Sequence, residues 1–222
     1  MKNEDKKYKG VLFDLDGTIL FTLSDITASI NVPLKNRNVK ELSDKETREI
    51  VGNGLLNALK KAFDKQEYEY TLSELDEAYT ELMDYYKKNA TKYCKPYDGI
   101  VDLLNSLEIP FGILSNKDDS LVKQIAKEVF DGINFSTVQG MTTKESRKPN
   151  PTNVINFAYK YDIKIEDLLY VGDSEVDFRT AKNAGCSLAL VSWGYRDKSD
   201  LLKLDEPVLD TVVELKNFII GS

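Results

Sequence analysis

Histidine is absent from the 222 residues. That removes the commonest general base, the commonest metal ligand and any serine–histidine or cysteine–histidine nucleophile pair. Chemistry in this chain has to run on carboxylates, lysines, hydroxyls and metal. Cysteine is scarce: Cys94 and Cys186 stand far apart without metal-type spacing, which reads as two reduced thiols in a cytoplasmic protein. No apolar run approaches the roughly 20 residues of a membrane span. Met1 to Lys9 is charged and has no apolar signal-peptide core, so no membrane partner is expected. An excess of positive charge is also missing. The formal net charge is −7, which argues against non-specific nucleic-acid binding.

What is present suits a globular enzyme. With 41% hydrophobic and 30% charged residues, the chain is long enough for one large domain, or for one core with a smaller insert. The stretch that organises the rest is Phe13-Asp14-Leu15-Asp16-Gly17-Thr18. It follows the apolar run Val11-Leu12-Phe13 and reads as a buried strand emptying into a tight loop. Aspartate is a poor strand residue. Alternate strand residues point the same way, so Asp14 and Asp16 can face one site. Gly17 lets the chain turn and approach a ligand closely. The Thr18 hydroxyl can bond phosphate or brace the loop. Two carboxylates at a strand tip suit a hard cation such as Mg²⁺, or an acid/base pair; a solvated turn is the plainer alternative.

From Leu20 to Thr91 the pattern is helical, punctuated by Pro33 and by Gly52-Asn53-Gly54. Ser43 with Glu46, and Thr71 with Glu74, have capping-box spacing. Leu55, Leu56, Leu59, Ala62 and Phe63 form one apolar stripe, and Leu75, Tyr79, Leu82, Met83 and Tyr86 another. Such stripes make a bundle core, so this segment is expected to be a small helical insert. Gly52 to Gly54 lacks the third glycine and preceding strand of a dinucleotide fingerprint and reads as a turn that could reach over a site. Arg48, one helical turn earlier, either contacts an anionic substrate or is an exposed helix arginine.

From Pro96 onward strands and helices alternate. Helix is expected over Gly99–Leu107, Leu121–Phe130, and from Ser146-Arg147-Lys148-Pro149-Asn150-Pro151 onward, then up to Gly185 and over Asp210–Ile220. Strands are expected at Phe111–Leu114, Phe135–Val138, Leu168–Val171 and Leu188–Val191. The pattern predicts a doubly wound, Rossmann-like parallel sheet, with residues 1–20 and 93–222 as the α/β core and 21–92 as the inserted helical domain. In such sheets ligands bind at the carboxyl ends of strands. Those ends carry Asp14 and Asp16, Ser115 and Asn116, and Asp173 and Asp177, with Lys148 expected at a helix start beside them. Singly, each has a plain reading as a cap or a solvated side chain. Together they are what phosphoryl chemistry requires: a carboxylate nucleophile, metal ligands, a hydroxyl donor and a cation.

The ordered motifs Asp14-Leu15-Asp16-Gly17-Thr18, Ser115-Asn116, Lys148-Pro149-Asn150-Pro151 and Gly172-Asp173-Ser174-Glu175-Val176-Asp177 resemble those of the haloacid dehalogenase superfamily, in the phosphoglycolate-phosphatase-like branch with a helical cap. Val51-Gly52-Asn53-Gly54 and Ser192-Trp193-Gly194-Tyr195 resemble the same branch. The resemblance implies a Mg²⁺-dependent phosphatase acting on a small phosphorylated metabolite through an aspartyl-phosphate. It implies Asp14 as nucleophile and Mg²⁺ ligand, and Asp16 as acid and then base, with its backbone carbonyl on the metal. Asp173 would ligate Mg²⁺, with Asp177 direct or one shell out. Thr18, Ser115, Asn116 and Lys148 would bind the phosphoryl group, Lys148 also steadying Asp14. Arg48, Gly52 and Asn53 would belong to the substrate-selecting cap. A monomer or weak homodimer is expected. Many relatives follow the first motif with an Asp-Ser pair, where this chain has Leu20-Phe21-Thr22-Leu23-Ser24. That leaves the phosphatase chemistry intact and loosens the tie to phosphoglycolate. An inorganic pyrophosphatase shares the core. A phosphomutase of this superfamily commonly uses a cap histidine, and a haloacid dehalogenase lacks the second aspartate. A non-catalytic binding module is the reading from another class.

Overall fold

The computed structural model describes residues 7–52 and 54–221. Two compact units emerge, Met1–Phe21 with Pro96–Ser222, and Thr22–Lys95. The first unit is built on a six-stranded sheet. Its strands are β1 (Gly10–Phe13), β4 (Phe111–Asp118), β5 (Thr137–Met141), β6 (Leu168–Gly172), β7 (Ser187–Val191) and β8 (Val208–Leu209), in the order β5-β4-β1-β6-β7-β8. Every pairing is parallel. Two-residue strands β2 (Leu20–Phe21) and β3 (Lys95–Pro96) stand in the sequence on either side of the helical segment.

A parallel sheet carries helices on both faces, so its central strands need apolar side chains on both sides. Val11, Leu12 and Phe13 of β1 and Leu168 to Val171 of β6 meet that demand, each at most 1% exposed. Helices α5 (Ile100–Ser106), α6 (Asp119–Val129), α7 (Thr152–Lys160), α8 (Glu175–Ala184) and α9 (Lys198–Leu201) connect the strands, and α10 (Val212–Ile220) follows the last of them. The α8 helix closes on Gly185, which takes the left-handed conformation at φ 78°. Leu12, Leu114, Val154, Phe157, Tyr170 and Leu190 lie in one core cluster.

The α/β alternation is the one the sequence predicts, with local differences. The β4 strand continues through Ser115, Asn116 and Lys117 to Asp118, with a break in its pairing to β5 between Leu114 and Asp118. The expected strand at Phe135–Val138 lies later, at Thr137–Met141. Lys148 does not start a helix: it sits in a turn, and α7 opens only at Thr152, after the rigid Pro149 and Pro151. The sequence reading passed over α9 and β8, which are too short to carry a periodic signal.

The second unit is helical: α1 (Leu23–Asn36), α2 (Asp44–Ile50), α3 (Leu55–Lys65) and α4 (Leu72–Asn89). Both capping boxes form, Ser43 with Glu46 and Thr71 with Glu74. Pro33 lies inside α1 rather than ending it. Leu59, Ala62 and Phe63 are fully buried, as are Leu82 and Tyr86, while Leu56 is 37% exposed and lies outside the core. Arg37 on the α1 side bonds Glu81 of α4 at 3.0 Å. Among the described residues, no helix is long and apolar enough to cross a membrane.

The burial contrast within α3 gives a direct test. Leu59→Ala is expected to lower the unfolding free energy by about 2–5 kcal/mol, because it leaves a cavity. Leu56→Ala, on the solvent side, is expected to cost under about 0.5 kcal/mol. Urea unfolding of both variants checks the assignment of the core face.

Candidate active site

Because every pairing is parallel, the carboxyl ends of β1, β4 and β6 lie along one edge of the sheet. The backbone N–H of Asp14 donates to the Val171 carbonyl at 2.8 Å, which extends the β1–β6 ladder by one residue. The chain then wraps around the Leu15 carbonyl, which accepts from the N–H groups of Thr18, Ile19 and Leu20. Leu15 is fully buried, while Asp14 is 7% exposed. Alternation thus sends Leu15 into the core and leaves Asp14 and Asp16 for the opposite side.

The centre of the site is an ammonium group. Lys148 Nζ donates to Asp14 Oδ1 and to Asp177 Oδ1, both at 2.7 Å, and to the Tyr170 hydroxyl at 3.1 Å. The Lys148 backbone is held as well: its N–H donates to Asn116 Oδ1 at 2.7 Å, and its carbonyl accepts from Asn116 Nδ2 at 3.1 Å. The side-chain amide of Asn116 is therefore spent on Lys148. Ser115 Oγ accepts from the Lys117 N–H at 3.2 Å, which leaves the hydroxyl proton to be given elsewhere. Lys117 Nζ donates to Asp16 Oδ1.

Asp177 is fully buried with both oxygens engaged. Oδ2 accepts from Ser174 Oγ at 2.6 Å and from the Asp173 N–H at 3.2 Å. Asp173 Oδ2 accepts from the Tyr195 N–H at 2.6 Å. Among the described residues, no protein donor reaches Asp14 Oδ2 or Asp173 Oδ1. Asp14, Asp173 and Asp177 each place one carboxylate oxygen within 4.8 Å of the others. This oxygen-only donor set fits a hard divalent cation. Counting Asp14, Asp16, Asp173 and Asp177 against Lys117 and Lys148 leaves two negative charges uncompensated, the charge one such cation supplies.

Glycines make this crowding feasible. A Cβ on Gly17, which is at φ +82°, would stand 2.3 Å from Asp173 Oδ2. One on Gly194 would stand 2.3 Å from the Asp173 Cβ, and one on Gly172 2.3 Å from the Asp177 Cβ. Trp193 Nε1 donates to the Thr18 carbonyl at 3.0 Å, which ties the β7 exit loop to the first motif.

The electrostatics follow from burial. Burial pushes the Asp14 carboxyl up to about 7, with Asp177 and Asp16 adding to the rise and Lys148 opposing it. Burial, then the neighbouring Asp177 and Asp14, raise Asp173 well above the ordinary carboxylate range. For Lys148, burial favours the neutral amine, but the Asp14 and Asp177 carboxylates outweigh it and hold the ammonium charged.

The structure thus brings Asp14, Asp173, Asp177 and Lys148 into contact, and Asn116 onto Lys148. Thr18 is fully buried with its hydroxyl sealed from solvent. Arg48 lies in the last turn of α2 and Gly52 follows in a bend at φ 111°. Asn53 lies outside the described residues. Sequence reasoning missed Lys117 and Tyr170. Lys117 carried a signal, since it stands two residues after Ser115 on the same strand and so on the same face. Tyr170 carried none, because it reads as one more large residue in an apolar run.

A family model for haloacid dehalogenase-like hydrolases matches residues 11–191. The chain is 28% identical over 209 residues to the phosphoglycolate phosphatase of Neisseria meningitidis, covering 92% of this chain and 89% of that one. It is 30% identical over 193 residues to the phosphoglycolate phosphatase of Aquifex aeolicus, covering 83% and 85%. A crystal structure from Lactobacillus delbrueckii, of a candidate phosphoglycolate phosphatase, aligns with a TM-score of 0.90 at 25% identity over 97% of this chain and 99% of that one. The chain belongs to the haloacid dehalogenase-like hydrolase family, and is an enzyme of that family.

The raised Asp14 and Asp173 values set a pH test with a definite sign. Both groups hold protons more tightly in the fold than when unfolded, so their contribution is fully present at low pH; the Asp14 part is lost as pH rises through about 7, and the Asp173 part as pH rises through its own raised value. A cation that binds the ionised carboxylates reverses the loss. Mg²⁺ is therefore expected to raise Tm much more at pH 8 than at pH 5, measured against chelator at each pH. An equal shift at both values would contradict the assignment of these carboxylates as the cation site.

Proposed function

We propose that this enzyme is a Mg²⁺-dependent phosphatase of small phosphomonoesters, working through an aspartyl-phosphate on Asp14. The observation that carries this reading is the Asp14 carboxylate itself: Oδ1 is held by Lys148 while Oδ2 has no protein donor, at the strand tip nearest Asp173 and Asp177. A carboxylate fixed by one oxygen presents the other as a nucleophile. Asp14 and Asp173 would hold the Mg²⁺ by carboxylate oxygens, and the Asp16 backbone carbonyl would add a further ligand. Asp177, whose oxygens are both taken by Lys148, Ser174 and the Asp173 N–H, orients Lys148 and Asp173 from behind. Bound there, Mg²⁺ offsets the repulsion between the carboxylate and a phosphoryl dianion.

The residues then divide the work. Asp14 Oδ2 attacks phosphorus as the bond to the leaving oxygen breaks. Asp16 gives that oxygen a proton. Asp16 next takes a proton from water, whose oxygen attacks phosphorus and frees Asp14. Asp16 has to leave its Lys117 partner and take up a proton from solvent before the first transfer, because an ion-paired carboxylate is not a donor. The Ser115 hydroxyl donates to a phosphoryl oxygen. Lys148, with its three N–H bonds already made, acts through Asp14 and as a buried positive charge. Asn116 acts through Lys148, and Thr18 holds the loop through its backbone carbonyl, which accepts from Trp193, while its buried hydroxyl has no hydrogen-bond partner among the described residues. The helical segment, residues 21–92 in the sequence reading, supplies the cap that selects the substrate, with Arg48, Gly52 and Asn53 on it. The identity with phosphoglycolate phosphatases favours an acidic phosphomonoester such as 2-phosphoglycolate; a cytoplasmic monomer or weak homodimer is the default form in this proposal.

Phosphate release from a panel of phosphomonoesters and pyrophosphate, with Mg²⁺ and with chelator, tests the reading. Metal-dependent release from monoesters is expected. Release from pyrophosphate alone favours a pyrophosphatase, isomerisation without release favours a mutase, and no turnover by folded protein favours a binding module. Asp14→Asn is expected to remain folded and lose kcat by roughly three orders of magnitude or more. Asp16→Asn is expected to fail both proton transfers, so wild-type kinetics in either variant would refute its role.

A further inference from the structure

Tyr170 stands in the middle of β6, fully buried. Its neighbours in the core cluster include Leu12, Leu114, Val154 and Phe157. Phenylalanine would fill that space equally well, and a buried hydroxyl is costly unless it is bonded. This one is bonded twice. It accepts from Lys148 Nζ at 3.1 Å and donates to the Leu114 carbonyl at 3.1 Å. Tyr170 belongs to β6 and Leu114 to β4, and β1 runs between those strands. The hydroxyl therefore links the strand that carries Asp173 to the strand that carries Ser115, behind the strand that carries Asp14.

Lysine has three N–H donors and free rotation about its last bond. Asp14 and Asp177 hold two of the donors, which fixes that rotation but leaves the flexible four-carbon stem free to shift the ammonium between the two carboxylates. The third bond removes that freedom. Resting on the phosphatase reading, we infer that Tyr170 is a positioning residue for the transfer: its hydroxyl locks the Lys148 ammonium so that one N–H stays on Asp14 Oδ1 and Oδ2 stays the attacking atom. A ring lacking the hydroxyl leaves a buried N–H of Lys148 without its partner and takes one donor from the Leu114 carbonyl. The ammonium then tilts and Asp14 loses its fixed orientation.

Tyr170→Phe tests this, because it removes one oxygen and keeps the ring. Three readouts are compared: kcat and KM on the best monoester of the panel, Tm, and uptake of beryllofluoride at Asp14 followed by ¹⁹F NMR with Mg²⁺. The expected result is a fall in kcat of about tenfold to a hundredfold, the scale of a misplaced reacting group. KM is expected to stay within about twofold, and beryllofluoride uptake to weaken in step with kcat. Phe157→Leu thins the same core without touching Lys148 and is expected to lower Tm while keeping kcat. Fluorotyrosine at position 170 keeps the hydroxyl and is expected to keep most of kcat. Wild-type kcat in Tyr170→Phe overturns the assignment, and so does an equal loss in the fluorotyrosine protein or in Phe157→Leu, since either would show a packing effect. Wild-type protein that releases no phosphate and takes up no beryllofluoride sinks the phosphatase reading and the assignment with it. Wild-type protein that does both, beside an unimpaired Tyr170→Phe, sinks the assignment alone.

Discussion

The Lys148 ammonium, buried between the Asp14 and Asp177 carboxylates, is the interaction on which the site depends. A charge taken out of water is expensive unless geometry and hydrogen bonds compensate. Here all three N–H groups are used, and the Asn116 amide holds the Lys148 backbone in both directions. Losing any one of the three acceptors would leave a buried N–H of the ammonium without a partner. The same ammonium, however, is too little charge for its surroundings. Two buried carboxylates bond it and a third, Asp173, lies beside them, and burial, then the repulsion among these carboxylates, raises Asp14 and Asp173. On the proposed reading, such a site favours binding further positive charge, and Asp14 would stand between Lys148 and the cation.

The sheet makes this concentration of charge affordable. Its parallel order puts the ends of β4, β1 and β6 side by side, so residues more than a hundred positions apart meet there through the side chains of Lys117 and Lys148. The backbone carries part of the site as well. The Asp173 N–H holds Asp177, and the Tyr195 N–H holds Asp173. Gly17, Gly172 and Gly194 are the space these contacts require, since a methyl group on any of them would enter a carboxylate or its Cβ. The apolar strands below resist rearrangement because they are packed on both faces.

Much of this was legible in the sequence for identifiable reasons. The Asp14–Asp16 spacing, the apolar run before it and the strand–helix alternation are local signals with known periods. The capping boxes at Ser43 and Thr71 are fixed spacings and formed as read. What escaped was long-range. The clamp of Asn116 on Lys148 joins residues 32 apart, and no local pattern distinguishes an amide that binds phosphate from one that binds backbone. Tyr170 looked like core because it is core, and only its partners across β1 reveal the use of its hydroxyl. Lys148 was expected at a helix start, but Pro149 and Pro151 delay α7, and the lysine reaches the site from a turn. The run through Lys117 was extended by tertiary pairing, where an apolar criterion ended the strand at Leu114.

The central claim is that Asp14 itself becomes phosphorylated. The direct measurement is an acid quench during turnover, followed by borohydride reduction, proteolysis and mass spectrometry across residues 10–18. Reduction of an acyl phosphate converts aspartate to homoserine, so the account predicts homoserine at position 14 in quenched samples and none without substrate. Turnover with Asp14 unmodified, or with phosphate recovered on Ser115, would contradict it.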